Sequence, residues 1–154
     1  MPGRNSADTT LRNRKDIVVV QHVSYVGGIT NGIPGNLEVH AVRYVSPDVT
    51  QKECGALVNT GLGHSVFVPE SQIGALASAI DRLCAVLPGA APFQSFRAEY
   101  RAECGLSISR SAAKLPFPCS ITVGEGAVLA TDADLRRLKD WLLEARKRAD
   151  GPGE

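Results

Sequence analysis

Hydrophobic and polar positions alternate with a period of two over several short stretches of the chain, and each group of such stretches ends in one helical stripe. The first run is DIVVVQHVSYV at 16–26, dense in Val and Ile. A loop rich in Gly, Asn and Pro follows (27–36), then LEVHAVRYV at 37–45. Both runs read as strands. CGALV at 54–58 and HSVFV at 64–68, separated by NTGLG, read as a hairpin with Asn and Gly at its turn. From Pro69, placed as a first-turn residue, the period changes to helical. Ile73, Leu76, Ala77, Ile80, Leu83, Cys84 and Leu87 share one face, and Pro88-Gly89 stops the helix.

A second stretch repeats this order. Phe96, Ala98, Tyr100, Ala102, Cys104, Leu106 and Ile108 alternate with Arg97, Glu99, Arg101, Glu103 and Ser107, which predicts one long strand or two broken at Gly105. CSITV at 119–123, a Gly-Glu-Gly turn and AVLA at 127–130 make the next hairpin. Thr131 is then the expected N-cap of a helix buried along Leu135, Leu138, Leu142 and Ala145, with Arg146, Lys147 and Arg148 at its C-terminal end. CGALV overlays CSITV at an offset of 65, and SVFVPESQIGAL overlays AVLATDADLRRL at an offset of 62; the three-residue difference falls in the hairpin turn.

The expected fold is therefore α+β: two ββββα repeats, with antiparallel sheets each backed by one helix. A flexible basic arm occupies 1–15, the first repeat 16–90, the second 91–149, and a tail 150–154. Neither repeat alone is large enough to cover its sheet well, so two packed together would bury what one leaves open.

Composition narrows the function classes. With 17 Lys and Arg against 16 Asp and Glu, the net charge of +1 is too small for unspecific attraction of polyanions, so any nucleic-acid contact must be local. No stretch reaches the roughly 20 apolar residues of a membrane span, so no membrane partner is expected. The N-terminal residues lack an apolar signal region, which makes a cytoplasmic location the default, or a nucleoid or organelle one if the protein binds nucleic acid.

Cys54, Cys84, Cys104 and Cys119 form no CxxC pair and fall in apolar phases, so they read as core thiols, with no metal site and no cofactor expected. His22, His40 and His64 read as partly exposed structural histidines. The alternative, a Cys nucleophile with a His base, has no spacing to support it. GGITNGIPG matches no phosphate-binding pattern, and no catalytic motif is present, so no enzyme is expected.

The order of four strands and a helix, present twice, resembles the whirly-like group of single-stranded nucleic-acid binding proteins, which includes the Pur-alpha repeats and the transcriptional coactivator C-terminal domain. HSVFVPESQIGALASAIDRL at 64–83 is similar to the closing strand and helix of such a repeat, and GLSISRSAAKL at 105–115 to a strand and basic loop of the coactivator-like domains. The resemblance implies a curved sheet that binds single-stranded DNA or RNA through basic side chains on phosphates and rings on bases. Arg97, Arg101, Arg110 and Lys114 are the matching cations, joined by Arg12, Arg14 and Lys15 of the arm. Tyr100 and Phe117 are the nearby rings, but Tyr100 shares the apolar phase of Phe96 and reads as core. Glu99 and Glu103 halve the positive field. The first repeat carries Arg43, Lys52 and Arg82 against six acids, a net −3, and is a poor nucleic-acid surface.

A second reading is a protein-interaction or assembly module that forms a homodimer. Leu143 points away from the helical stripe and Trp141 lies at its edge, so an apolar patch there would suit a partner, unless the helix is covered on two sides within the monomer.

Overall fold

The structure is a computed structural model that describes residues 11–30, 36–48, 50–61, 63–86, 96–111 and 116–151. It contains two four-stranded antiparallel meanders, each followed by a helix, as expected. The first sheet has strands β1 (Val20–Ile29), β2 (Leu37–Val45), β3 (Lys52–Thr60) and β4 (Ser65–Pro69), followed by helix α1 (Glu70–Ala85). The second has β5 (Arg97–Arg101), β6 (Leu106–Ser111), β7 (Cys119–Val123) and β8 (Gly126–Ala130), followed by helix α2 (Asp132–Ala149). Each sheet keeps its strands in chain order. The two helices start 62 residues apart, which is the offset found in the sequence overlay. Among the described residues no helix is long and apolar enough to cross a membrane.

The elements form for local reasons. Thr131 caps α2 with a complete capping box: its hydroxyl accepts from the Asp134 N–H while the Asp134 carboxylate accepts from the Thr131 N–H. Pro69 ends β4 in extended geometry and stands at the N-cap of α1, one residue earlier than the first-turn position expected of it. Gly105, at φ 106°, makes the turn that breaks the alternating run into β5 and β6. Asp16, at φ 64°, swings the chain from the arm toward β1, a backbone region that Asp tolerates better than most residues.

β1 begins at Val20 rather than near 16, and it continues through Gly27 and Gly28, which the sequence reading placed in a loop. The register slips between Tyr25 and Gly27, so Val26 is an extra residue in a β-bulge. Helix α2 explains why glycine serves here. A Cβ on Gly27 would run into the Trp141 indole, so the bare backbone lets the helix approach the sheet.

One helix is exchanged and the other bridges both sheets. α2 follows the second sheet but packs on β1, β2 and β3 of the first, while α1 lies against β5 and β6 as well as β3 and β4; the two helices also pack on each other. Asp81 of α1 accepts from the Lys139 ammonium of α2 at 2.9 Å. One apolar core results, which holds Leu37, Val39 and Val58 of the first sheet, Leu135, Leu138 and Leu142 of α2, and Ile108 and Ile121 of the second sheet. Arg43 of β2 fastens the far end of α2, donating from Nε to the Ala149 carbonyl and from Nη2 to that of Gly151.

Trp141 and Leu143 are half-buried and packed against this core. The patch expected at these residues is thus taken up by the monomer's own packing, because α2 is flanked by a sheet and by α1. The arm differs too. Residues 11–13 form a 3-10 turn whose Leu11 side chain is buried against the first sheet, so this part of the arm is docked; residues 1–10 lie outside the described residues.

Exchange has a direct test. A fragment of residues 16–90 lacks α2 and would leave β1, β2 and β3 without the cover that this helix gives them. Circular dichroism should therefore show no cooperative thermal transition for that fragment or for 91–154 alone, and should show one for the equimolar mixture. A cooperative transition in the isolated first fragment would mean that each repeat holds itself together.

Candidate nucleic-acid interface

Strand register defines which side chains share a face, since directly opposed residues point the same way. On the second sheet, Arg97 lies opposite Ser111. Glu99 starts the row Ser109, Ser120, Leu129, and Arg101 starts the row Ser107, Thr122, Ala127. The intervening residues Ala98, Tyr100, Ile108 and Ile121 face the core. The outer face of this sheet therefore carries the partly exposed hydroxyls of Ser107, Ser111, Ser120 and Thr122 around a buried Ser109, with Leu129 exposed on β8 and two arginines along β5. Both guanidiniums lie 3.2 Å from the same Glu99 Oε1, at side-chain exposures of 61% for Arg97 and 78% for Arg101. The Arg101 hydrogen bond is the main cause that holds the Glu99 carboxyl below the usual carboxylate range, and Arg97 adds to it. The three side chains carry a net charge of +1, with spare N–H donors pointing to solvent.

The other expected cations do not join them. Arg110 is 8% exposed and faces inward. Its Nε and Nη2 donate to the two oxygens of Asp132 at 2.9 and 3.0 Å. Its Nη1 donates to the Leu83 and Val86 carbonyls at the end of α1, and the Phe96 ring lies 5.7 Å from the guanidinium. With its donors spent on the protein, Arg110 stands apart from any phosphate-binding surface. Arg12 and Arg14 sit on the first sheet. Arg12 donates to Glu53 at 2.7 Å and stacks over Phe67 at 4.3 Å, and Arg14 donates to Gln51. Lys15 is exposed near them, and Lys114 lies outside the described residues. Tyr100 packs against the core as its phase implied, and Phe117 is half-buried.

The outer face of the first sheet holds rings that the sequence reading did not assign to a site. Tyr25 meets His40 edge to face at 5.4 Å, and Tyr44 meets Phe67 at 5.6 Å. Gln21 donates to the Tyr44 hydroxyl, and burial raises the Tyr44 pKa. Alternation could have found His40 and Tyr44, which occupy the phase opposite to the buried Leu37, Val39 and Ala41, while Tyr25 joins them through its register opposite His40.

The cysteines are free thiols. Cys119 donates to Asp132 at 3.3 Å, and burial together with that carboxylate pushes its thiol up to about 12. Cys54 donates to the Ala149 carbonyl, and burial raises its pKa as well. The Cys54 sulfur, Glu70 and Asp150 lie within 4.8 Å of one another, a donor set of mixed type at the C-terminal end of α2. With its proton held by Ala149 and its pKa raised, the Cys54 thiol is poorly prepared to ligate a metal.

Two predictions follow from the Arg110 cluster. Asp132 is held below its ordinary 3.8, chiefly by the Arg110 hydrogen bonds, so the pair stabilises the fold above that pH and the contribution is lost as pH falls through the depressed value. Arg110→Met should cost about 3 kcal/mol in urea unfolding at pH 7, and the gap to wild type should narrow in acid. At pH 8, iodoacetamide should leave Cys119 unmodified in the native protein and alkylate it after denaturation, as read by peptide mass spectrometry.

No protein-family pattern, curated protein or solved structure matches the chain.

Proposed function

We propose that this is a non-enzymatic protein that binds single-stranded nucleic acid along the outer face of the second sheet. The observation that supports the reading most is the register of β5, β6 and β7, which sets Arg97 and Arg101 on one face with the partly exposed Ser107, Ser111, Ser120 and Thr122. Guanidinium and hydroxyl groups at strand spacing suit a run of phosphate and sugar oxygens. Glu99 tempers the surface, since it holds both arginines and keeps the local charge low.

Filter binding with mixed single-stranded DNA and RNA at two salt concentrations tests the reading. Affinity should fall with salt, and Arg97→Ala with Arg101→Ala should flatten the slope by about 0.7 for each phosphate contact removed. Glu99→Gln should tighten binding, because the arginines lose their competing carboxylate. Salt-independent affinity, or no retention of any oligonucleotide, would remove this function.

A further inference from the structure

Each sheet has two outer strands, β1 and β4 in the first, β5 and β8 in the second. An outer strand carries unpaired backbone groups, and proteins protect such edges with charge, proline or short length. β4 has five residues and ends in Pro69, β5 has five with Arg97, Glu99 and Arg101 among them, and β8 has five. β1 lacks these protections: it has ten residues, and the whole segment 17–30 contains no Lys, Arg, Asp or Glu.

The apolar surface is concentrated at the same place. Ile17, Val18, Val20, Val23 and Tyr25 are exposed, Val23 by 52% and Tyr25 by 54%; outside this segment the one other exposed large hydrophobic side chain among the described residues is Leu129 of β8, at 38%. Arg148 of α2 closes the edge at one end, donating from Nη1 to the Tyr25 carbonyl at 2.9 Å and to the Ser24 hydroxyl at 3.2 Å. The bulge at Val26 bends the strand immediately beyond. The unprotected run is therefore Val20–Ser24, flanked by Ile17 and Val18.

We propose that this edge seats a second copy of the chain, β1 against β1 and antiparallel about a twofold axis, so that two four-stranded sheets join into one of eight. The charge pattern selects the occupant. Cations stand only at the two ends of this edge, Arg14 and Lys15 before Ile17 and Arg148 at Ser24, so a polyanion finds none along Val20–Val23, and a charged strand from another protein would set its charges against valines without partners. An identical strand brings no charge, and presents the same valines to those already there. A twofold interface needs this self-complementarity. Backbone hydrogen bonds then fill the open edge, and burial of Val20 and Val23 adds the hydrophobic contribution. The surface is separate from the Arg97 and Arg101 face, so it stands whether or not the chain binds nucleic acid.

Light scattering coupled to gel filtration, with no nucleic acid present and at micromolar concentration, tests this. Wild type should elute at twice the 16.3 kDa chain mass. Val23→Lys places two like charges across the axis at an exposed position, and should give 16.3 kDa with an unchanged circular dichroism spectrum. Val20→Lys serves as the second variant should the first fail to fold. Leu129→Lys, on another outer strand, should stay dimeric. A monomeric wild type, a folded Val23→Lys or Val20→Lys protein that remains dimeric, or a Leu129→Lys variant that dissociates would each overturn the proposal.

Discussion

The guanidinium of Arg110 joins the parts of the molecule that chain order leaves far apart. It projects from β6, donates to the Leu83 and Val86 carbonyls at the negative end of α1, and donates to both oxygens of Asp132 at the positive end of α2. Each contact agrees with the dipole of the helix it touches. The pairing is also strong for a nearly buried cation, because the planar fork satisfies several acceptors at once and leaves little charge uncompensated. Helix exchange depends on such a joint. α2 must leave the second sheet at once and cross to the first, and Arg110 fixes its starting point beside the end of α1.

With that start fixed, the rest of α2 is aligned by shape. Trp141 lies over Gly27, Arg148 reaches the bulge at Tyr25, and Arg43 holds the carbonyls at 149 and 151. Three polar contacts and one close approach, spaced along the helix, set its register on β1 and β2. The leucine stripe by itself would tolerate sliding.

The elements were legible in the sequence because alternation and helical spacing are local. The change at Pro69, the Thr131 cap and the Gly105 break come directly from side-chain chemistry and backbone preference. The partner of each helix was not legible, since a leucine stripe at 135, 138 and 142 looks the same whichever sheet it covers. For the same reason Trp141 and Leu143 read as a free patch. Arg110 shows a second blind spot. A basic residue in a Ser-rich strand suggests a surface, yet its position opposite Ala98 and Cys119 puts it on the inward face, a fact set by strand register. The rings on the outer face of the first sheet were hidden by the net −3 of their repeat, which describes the whole segment and says nothing of one face.

Exchange also constrains how the chain can be made. The first sheet is complete in sequence by residue 69, but its apolar face waits for a helix that ends at 149. During synthesis at about 5–20 residues per second, those roughly 80 residues take on the order of 4–16 s, through which the cover that α2 gives β1, β2 and β3 is not yet made. A nascent chain with such a surface is a natural client for a holding chaperone, and slow translation of the second repeat would lengthen its vulnerability to aggregation.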